Sequence, residues 1–557
     1  MHNLKTIFSF RRILLAAIAV AISLRLILIG SREFWYDEVL SLLLSNGQKV
    51  NYFHPGTTPI NLERYTEILQ LPIELNGSDF FQTLEQLLKG LVVEPHPPLF
   101  FLLQHFWLRL FGSSEIAMRS LPCLISIGAI GCAYGLGRKL LGNQGGLLFA
   151  ALLGLNPYFF FHSLNVRMYC LLVFWVTLSA WSLLELIENR LEVREEADFQ
   201  QKNDSVLSSH RRKWLIIFTI SIVGGMMTFY YFAVWLLMLG LIILCWDRRY
   251  WWQYGICYAI AIVLISPWVW WGTRQQLRNA DLGRFTTSGN WLETATRHIQ
   301  DAIQVLGIHL FIGDWTTILS PIVTLLFGTV AVILLIAAIK ILWGHQKYQL
   351  LGIISFLSWL PFFLMILIDA VSGKFTVGFG WGRSVIFILP GCLLLITAGF
   401  IHTGKVWRQS LSLTLLTVYL LINLSDYSLR PRWMFHEIAD MITNNSQSPT
   451  LIVINSKAWG HLLRLAYYHP NHSSVDLLAI NSKRLIPQVD KLLSSSPQYE
   501  QIIWLDSEKP VWGKPSSNSE LSQLNAIFDK TYKRFQTKHL KGTWMLDNFQ
   551  LNLYQKS

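Results

Sequence analysis

Long apolar segments are the feature of this sequence that most restricts the folds open to it. Several runs reach about 17 to 25 residues, the length that a helix needs to cross a hydrocarbon core about 30 Å thick. The composition agrees, because 52% of the 557 residues are hydrophobic and only 14% are charged. The chain is therefore predicted to be a polytopic α-helical membrane protein.

The first apolar segment, residues 13–30, follows Arg11 and Arg12 and is not followed by a small-residue cleavage site. This pattern predicts a retained anchor and an amino terminus in the cytoplasm. Further apolar segments bring the predicted number of transmembrane helices to about eleven. These segments are residues 119–141, 145–162, 168–188, 214–229, 231–246, 251–271, 318–343, 350–369, 384–402 and 410–425.

A shorter apolar segment, residues 97–112, decides the topology. If it lies in the interface, the lysines and arginines of the later short loops all fall on the cytoplasmic side, as the positive-inside rule requires. If it crosses, every later loop is inverted. We therefore predict an interfacial helix. Residues 31–118, residues 272–317 and the carboxyl-terminal region would then face the exterior or periplasmic side of a plasma (inner) membrane.

The region at residues 430–557 is more polar than the rest of the chain. Strand-like runs at residues 450–455 and 501–505 alternate there with helical patterns. We predict a small exterior α/β domain at residues 430–557, preceded by a transmembrane domain at residues 1–429.

The formal net charge of +12 does not predict a nucleic-acid partner. The basic residues lie mostly in short loops between apolar segments and form no single basic face, so membrane topology explains the charge better. The six cysteines all lie in predicted membrane segments and lack metal-type spacing. The sequence also contains no phosphate-binding glycine motif of the P-loop or dinucleotide type.

Asp37 and Glu38 form the strongest candidate site. They follow the first predicted membrane helix directly, in the aromatic setting of residues 34–36. A carboxylate in a partly dry environment can serve as a general base, and Asp37 is the candidate for that role. A helix amino-terminal cap or a solvated loop acid explains the dipeptide more simply, so the pair taken alone favours that interpretation and the base depends on its context.

Basic residues near the predicted membrane surface are candidates for binding phosphate. His96 precedes two prolines that would hold it at the surface, where it is either a hydrogen-bond donor or an exposed interfacial histidine. Arg167 and Arg383 begin helices on the predicted exterior side, and a guanidinium matches phosphate geometry. Snorkelling to lipid headgroups is the alternative for both. Arg25, inside the first span, must pair or snorkel, and a position near a phosphate is a further option.

At these residues the sequence resembles glycosyltransferase family 39 and other GT-C membrane glycosyltransferases, which include protein O-mannosyltransferases and lipid A aminoarabinose transferases. The resemblance lies in the order and placement of the acidic pair, the His-Pro-Pro-Leu segment at residues 96–99, and Arg119 at the start of the next span. Residues 163–169 resemble the second exterior loop of these enzymes, and Arg383 occupies the place of a recurrent late arginine. The resemblance covers residues 34–383, and its first half is the more specific.

The resemblance implies a GT-C fold and transfer of a sugar, with inversion, from a polyprenyl or dolichyl phosphate donor to a glycan, lipid or protein acceptor. It implies that Asp37 is the base, with Glu38 orienting the acceptor or supporting Asp37. The predicted donor-binding residues are His96, Arg167, Arg383, Arg119 and Arg25. No cofactor is implied, although oligosaccharyltransferases of the wider group use a metal ion, and the acidic pair leaves a divalent metal open.

A transporter or flippase of a lipid-linked saccharide is the main alternative, because many spans and intramembrane arginines also suit a translocation path. The candidate residues gather on one predicted face, however, and the sequence shows no repeat-like halves. A noncatalytic assembly protein is a third option. The carboxyl-terminal domain is a candidate for acceptor selection, and its Trp512 and Trp544 suit core packing better than stacking on a sugar ring.

Overall fold

The computed structural model describes residues 2–196, 204–279, 283, 286, 291–430, 433–443, 448–469, 474–495, 498–510, 514–542, 544 and 546–557. Each segment predicted to cross the membrane is helical over most of its length. The helices are α1 (His2–Leu28), α2 (Tyr36–Ser45), α3 (Glu63–Glu67), α4 (Gly77–Leu91), α5 (Leu99–Phe111), α6 (Glu115–Leu155), α7 (Pro157–Ser163), α8 (Tyr169–Glu196), α9 (Asp204–Met226), α10 (Phe232–Trp246), α11 (Trp251–Trp268), α12 (Arg274–Asn279), α13 (Trp291–Gly307), α14 (Pro321–Gly344), α15 (Tyr348–Leu357), α16 (Trp359–Ser372), α17 (Leu389–Ile401), α18 (Lys405–Leu429), α19 (Met434–Thr443), α20 (Trp459–Tyr467), α21 (Ser482–Ser495) and α22 (Asn518–Phe528).

Among the described residues, six helices are long and apolar enough to cross a membrane, or seven if one bent pair counts as a span. The six are Glu115–Leu155, Tyr169–Ile187, Arg248–Asn279, Pro321–Gly344, Arg383–Ile401 and Lys405–Thr443, and the bent pair is α15 with α16. Two of the differences from the predicted number of about eleven have a visible cause. The helix α6 joins two predicted spans across Gly142, whose φ of 72° interrupts the helix, and α10 has only 15 residues.

The helix α5 covers the segment whose position decides the topology. It has 13 residues, which gives a length of about 20 Å at 1.5 Å per residue. A helix of this length is too short to cross a core about 30 Å thick. The length of α5 is therefore consistent with the predicted interfacial helix.

The chain forms two compact units, each assembled from separate parts of the sequence. The first, which we call the helical unit, contains Met1–Ile29, Leu91–Leu103 and Arg119–Ser428. The second, the sheet unit, contains Gly30–Gly90, Gln104–Met118 and Leu429–Ser557. Most of the predicted exterior loop at residues 31–118 thus belongs to the same unit as the carboxyl-terminal region.

Burial distinguishes central from peripheral helices in the helical unit. The segment Arg383–Ile401 is 94% buried, whereas Pro321–Gly344 is only 28% buried although it is the most apolar. An apolar helix with so much uncovered surface suits contact with lipid. Glycines allow close helix packing: a Cβ added to Gly328 would lie 2.0 Å from Ile303 O, and one on Gly391 would lie 1.5 Å from Leu357 O.

The sheet unit is built on a six-stranded sheet in the order β1-β3-β2-β4-β6-β5. Its strands are β1 (Ile60–Asn61), β2 (Thr450–Ile454), β3 (Val475–Ala479), β4 (Gln501–Ser507), β5 (Tyr532–Lys541) and β6 (Asn548–Lys556). The central strands β3, β2 and β4 are parallel, and the outer pairings are antiparallel. Every residue of β2 and β4 is buried, as expected for parallel strands covered on both faces. The predicted α/β domain is confirmed, and β1 adds a strand from the predicted exterior loop.

Candidate active site

The acidic pair opens the short helix α2. Trp35 is the amino-terminal cap residue, and Asp37 and Glu38 are the second and third residues of the helix. The carboxylate of Glu38 accepts a hydrogen bond from the backbone N–H of Trp35 at 2.8 Å. This bond satisfies one of the donors that a helix start leaves unpaired. Because Glu38 is fully buried, the role seen in the structure is to fix the first turn of α2, and its role towards an acceptor stays a prediction.

Asp37 differs from all its neighbours in exposure. Across residues 32–47, all of which the structure describes, it is the only residue that is not buried. Asp37 is thus partly accessible in a segment that is otherwise packed in the interior. The positive end of the α2 dipole favours negative charge at this position. A partly accessible carboxylate among apolar neighbours suits the role of a general base.

His96 and Arg167 lie together in the helical unit. The Nη2 atom of Arg167 is 3.1 Å from Nε2 of His96. Arg167 lies in the short connection between α7 and α8 and is 4% exposed, whereas His96 is partly exposed. The structure thus joins two residues that the sequence offered as separate phosphate-binding candidates.

Gln276 positions the backbone around His96. Its side-chain amide donates to His96 O at 2.9 Å and to Leu91 O at 2.8 Å. The hydroxyl of Tyr230 in turn donates to Gln276 Oε1, and the Phe229 ring stacks on the His96 imidazole at 5.9 Å. Gln276 was not predicted, because a single polar residue in a predicted loop forms no recognisable pattern.

Arg383 ends a glycine-rich loop with unusual backbone geometry. Gly380 and Gly382 have φ angles of 55° and 77°, and Trp381 between them has a φ of 60° although it carries a side chain. This conformation is uncommon for a large residue and costs free energy. The carbonyl oxygen of Gly382 accepts from Nε2 of His309 at 3.0 Å. Arg383 itself is partly exposed, and its guanidinium lies over the Phe379 ring at 5.7 Å.

A row of aromatic side chains links the Arg383 loop to His96 within the helical unit. It begins at a tyrosine of α7 whose hydroxyl donates to the carbonyl oxygen of Trp381 at 3.2 Å. Consecutive ring centroids are 4.5 to 6.4 Å apart in the order Tyr158, His162, Tyr169, Phe229 and His96. Tyr158, His162 and His309 were not predicted as site residues. A polar side chain inside an apolar segment was the available signal for His162.

Arg25 and Arg119 occupy more enclosed positions. Both are 0% exposed. Arg25 donates to Ser126 Oγ at 3.1 Å and to the carbonyl oxygens of Ala21 and Gly154 at 2.8 and 2.7 Å. Arg119 donates to Ile29 O at 3.3 Å. Phosphate binding by these two arginines stays a prediction, and the contacts of Arg25 describe a residue that ties helices together.

The structure describes only one of the two candidate tryptophans of the carboxyl-terminal region. Trp544 packs edge-on against Trp35 and Tyr36, with ring centroids 5.4 and 4.8 Å apart, so it contributes to packing beside the acidic pair. Trp512 lies outside the described residues.

Comparisons with known proteins bear on the fold. Residues 95–194 match the family model described as dolichyl-phosphate-mannose-protein mannosyltransferase. A search of curated proteins found no match to this chain. The crystal structure of ArnT from Cupriavidus metallidurans bound to undecaprenyl phosphate is similar at 10% identity and a TM-score of 0.51, over 97% of each chain. The apo crystal structure of the same protein is similar at 11% identity and a TM-score of 0.50, over 100% of this chain and 98% of that one.

These similarities define the class of the protein, a multi-pass membrane protein with the GT-C fold. The segment that matches the mannosyltransferase family model contains His96, Arg119 and Arg167, which carried the resemblance in the sequence. The predicted GT-C fold is therefore confirmed.

Proposed function

We propose that this protein transfers a hexose or pentose from a polyprenyl phosphate donor to a glycan, lipid or protein acceptor of the cell envelope. The observation that carries the proposal is the exposure of Asp37, the one accessible residue of residues 32–47, at the start of α2. The comparisons support the donor class, because the family model is named for a dolichyl phosphate sugar. The similar ArnT structure is bound to undecaprenyl phosphate.

The reaction is a single displacement at the anomeric carbon. An acceptor oxygen or nitrogen forms a bond to this carbon while the bond from the carbon to the phosphate oxygen breaks, which inverts the configuration. Asp37 takes the proton that the acceptor loses. The polyprenyl phosphate leaves with the bonding electron pair, and positive charge stabilises the oxygen that receives it.

Arg167 is the residue best suited to that stabilisation. Its guanidinium is a permanent cation with the geometry to bind a phosphate. His96 lies within hydrogen-bonding distance and orients it. Arg383 is a second cationic contact for the donor, since it is partly exposed at the end of its loop. The donor supplies the energy of transfer, so the proposed reaction needs neither a nucleotide nor a metal ion.

The proposal places the amino terminus in the cytoplasm and the reaction on the exterior face. The charge pattern of the loops supports this orientation. Single cysteines at Arg138 and Glu63, introduced after replacement of the native cysteines, test it with a membrane-impermeant thiol reagent. Labelling of position 63 in intact cells, with labelling of position 138 only after permeabilisation, is the expected result. The reverse pattern would overturn the orientation.

Asp37→Asn tests the proposed function directly. Radiolabelled sugar transfer from a mixture of polyprenyl phosphate donors to membrane acceptors would be measured at equal amounts of folded protein. We expect the variant to lose transfer, while Glu63→Gln, which alters an exposed acid of the same unit, keeps it. Full transfer by Asp37→Asn would contradict the proposal. Movement of a lipid-linked saccharide without transfer would identify a flippase instead.

A further inference from the structure

The residues that precede Asp37 are held by the carboxyl-terminal region of the same unit. The carboxylate of Glu33 accepts from the backbone N–H of Phe435 at 2.8 Å. The N–H of Phe34 donates to the hydroxyl of Tyr468 at 2.6 Å. The adjoining residues Trp35 and Tyr36 pack against Trp544, as described above. Consecutive residues leading to Asp37 are therefore each held by a part of the chain more than 400 positions away.

Tyr36, the residue directly before Asp37, has a side chain that is surrounded by aromatic rings. It is 5% exposed. Its ring lies 4.4 Å from that of Trp459, 4.8 Å from that of Trp544 and 5.7 Å from that of His461. Aromatic rings at these distances and tilts attract one another beyond the area they bury. The start of α2 is thus packed against the start of α20.

Gly460 makes this packing possible. A Cβ atom added there would lie 2.5 Å from Cδ2 and from Cε2 of Tyr36, so any larger residue has to displace the ring or the helix. The φ of Gly460 is ordinary for a helix, since Gly460 is not among the residues with positive φ. Contact with Tyr36, and not backbone geometry, is therefore the reason for a glycine at this position.

A buried ion pair fixes Gly460 from its other side. The Nε of Arg464 donates to Gly460 O at 2.9 Å, and its two terminal nitrogens donate to the two oxygens of Asp547 at 2.9 and 2.5 Å. Both side chains are almost fully buried. Burial alone would raise the pKa of the Asp547 carboxyl. The effect of the Arg464 guanidinium is larger, and it lowers this pKa to about 2. The arginine therefore connects Asp547, the residue before β6, to the backbone that touches Tyr36.

We infer that Gly460 and Tyr36 are positioning residues for Asp37, and that the carboxyl-terminal region acts as the support of the catalytic base. This inference rests on the proposed function. It assigns the region a role in the reaction itself, whichever acceptor the protein uses. Small displacements of a base lower the rate strongly, because proton transfer depends on the geometry of the reacting atoms.

Gly460→Ala is the first test. The added methyl group would displace the Tyr36 ring and with it the backbone of Asp37. With the radiolabelled polyprenyl phosphate sugar that supports wild-type transfer, we expect kcat to fall by about tenfold or more while the donor KM changes less than about twofold. Gly77→Ala is the matched control, because a Cβ at Gly77 has no atom within 4 Å, and it should leave both constants unchanged.

A double-mutant cycle separates positioning from general damage. In Tyr36→Leu, which lacks the ring, kcat should already be low, and adding Gly460→Ala should lower it by less than about twofold further. Independent effects would multiply and would overturn the inference. If Gly460→Ala fails to fold, Trp459→Leu provides a milder test, since it removes one ring from Tyr36 without adding an atom. It should lower kcat and leave the donor KM unchanged.

The outcomes distinguish this inference from the proposed function. Loss of transfer in Asp37→Asn together with unchanged kcat in Gly460→Ala and Trp459→Leu would overturn the positioning role and leave the proposed function standing. Full transfer in Asp37→Asn would overturn the proposed function, and with it the positioning role. A lower melting temperature of Gly460→Ala at wild-type kcat would show that the contact only stabilises the fold.

Discussion

The Nη2 atom of Arg167 lies 3.1 Å from Nε2 of His96, although the two residues are 71 positions apart in the sequence. A guanidinium can only donate, so Nε2 of His96 is the acceptor and the imidazole is neutral in this contact. Arg167 therefore carries the positive charge of the pair, and His96 directs it. This contact brings two separate candidates from the sequence together, and the proposed function assigns them distinct roles in binding the donor phosphate.

Arg167→Gln should lower kcat/KM for the polyprenyl phosphate donor by about 30-fold to 1000-fold, which corresponds to about 2 to 4 kcal/mol of lost transition-state stabilisation. Arg167→Lys should recover part of the loss, because it keeps the charge and loses the planar geometry. Steady-state transfer assays on purified variants provide the measurement. Equal losses in Arg167→Lys and Arg167→Gln would show that charge at this position is not what matters.

The sequence predicted the elements of this fold better than their assembly. Helix length and apolar composition indicated α8, α14 and α17, and strand-like runs indicated β2 and β4, because local patterns determine such elements. The participation of the first exterior loop in the sheet unit was not predicted, since its β1 strand pairs with β3 more than 400 positions later. No local pattern specifies a contact at that separation.

The same limit applies to the candidate site. Asp37 was identified from its place after the first span, but its exposure among buried neighbours is a property of the folded chain. The contact between Gly460 and Tyr36 was not predicted, because a glycine within a helical pattern does not indicate which residue packs against it. His309 was missed for a similar reason: it bonds to the backbone of Gly382 in a different segment. Sequence patterns thus identified candidate residue types, whereas the positions of their side chains depend on contacts between distant parts of the chain.

Trp381 provides a test of backbone strain beside Arg383. Its positive φ costs about 1 to 2 kcal/mol for a residue with a side chain. Trp381→Gly and Trp381→Ala both remove the indole, but only glycine relaxes the backbone. Trp381→Gly should therefore be the more stable of the two by about 1 kcal/mol. Thermal unfolding of both variants in the same detergent measures the difference, and equal melting temperatures would indicate an unstrained backbone at this position.

The Arg464–Asp547 pair should dominate the acid sensitivity of the sheet unit. Asp547 titrates near 3.8 when unfolded, and its pKa in the fold is about 2. A lowered pKa contributes stability that is present above the unfolded value and is lost as the pH falls towards 2, here about 2 kcal/mol. Burial also lowers the pKa of the neighbouring His461 below its ordinary value of 6.5. The unfolded chain therefore binds a proton at this histidine more readily than the folded chain does, and this also lowers the free energy of unfolding as the pH falls below 6.5.

Two variants isolate the contribution of this ion pair. Arg464→Met leaves a buried carboxylate without its partner and should cost about 3 to 5 kcal/mol at neutral pH. Adding Asp547→Leu removes the remaining charge, so the double variant should recover much of that loss and lack the stability change between pH 4 and pH 2. Unfolding monitored over this pH range checks both points. An unchanged pH profile in the double variant would assign the acid sensitivity to other groups.

Substitution of Arg25 tests whether this arginine stabilises the fold or binds the donor. Its guanidinium donates to Ser126 and to the carbonyl oxygens of Ala21 and Gly154, and it is fully buried. Arg25→Met should therefore lower the melting temperature, at a cost of about 1 to 3 kcal/mol for the carbonyl oxygens left without a donor. The folded fraction should keep the donor KM of the wild type. A donor KM raised by about tenfold or more, with little change in melting temperature, would instead place Arg25 at the phosphate.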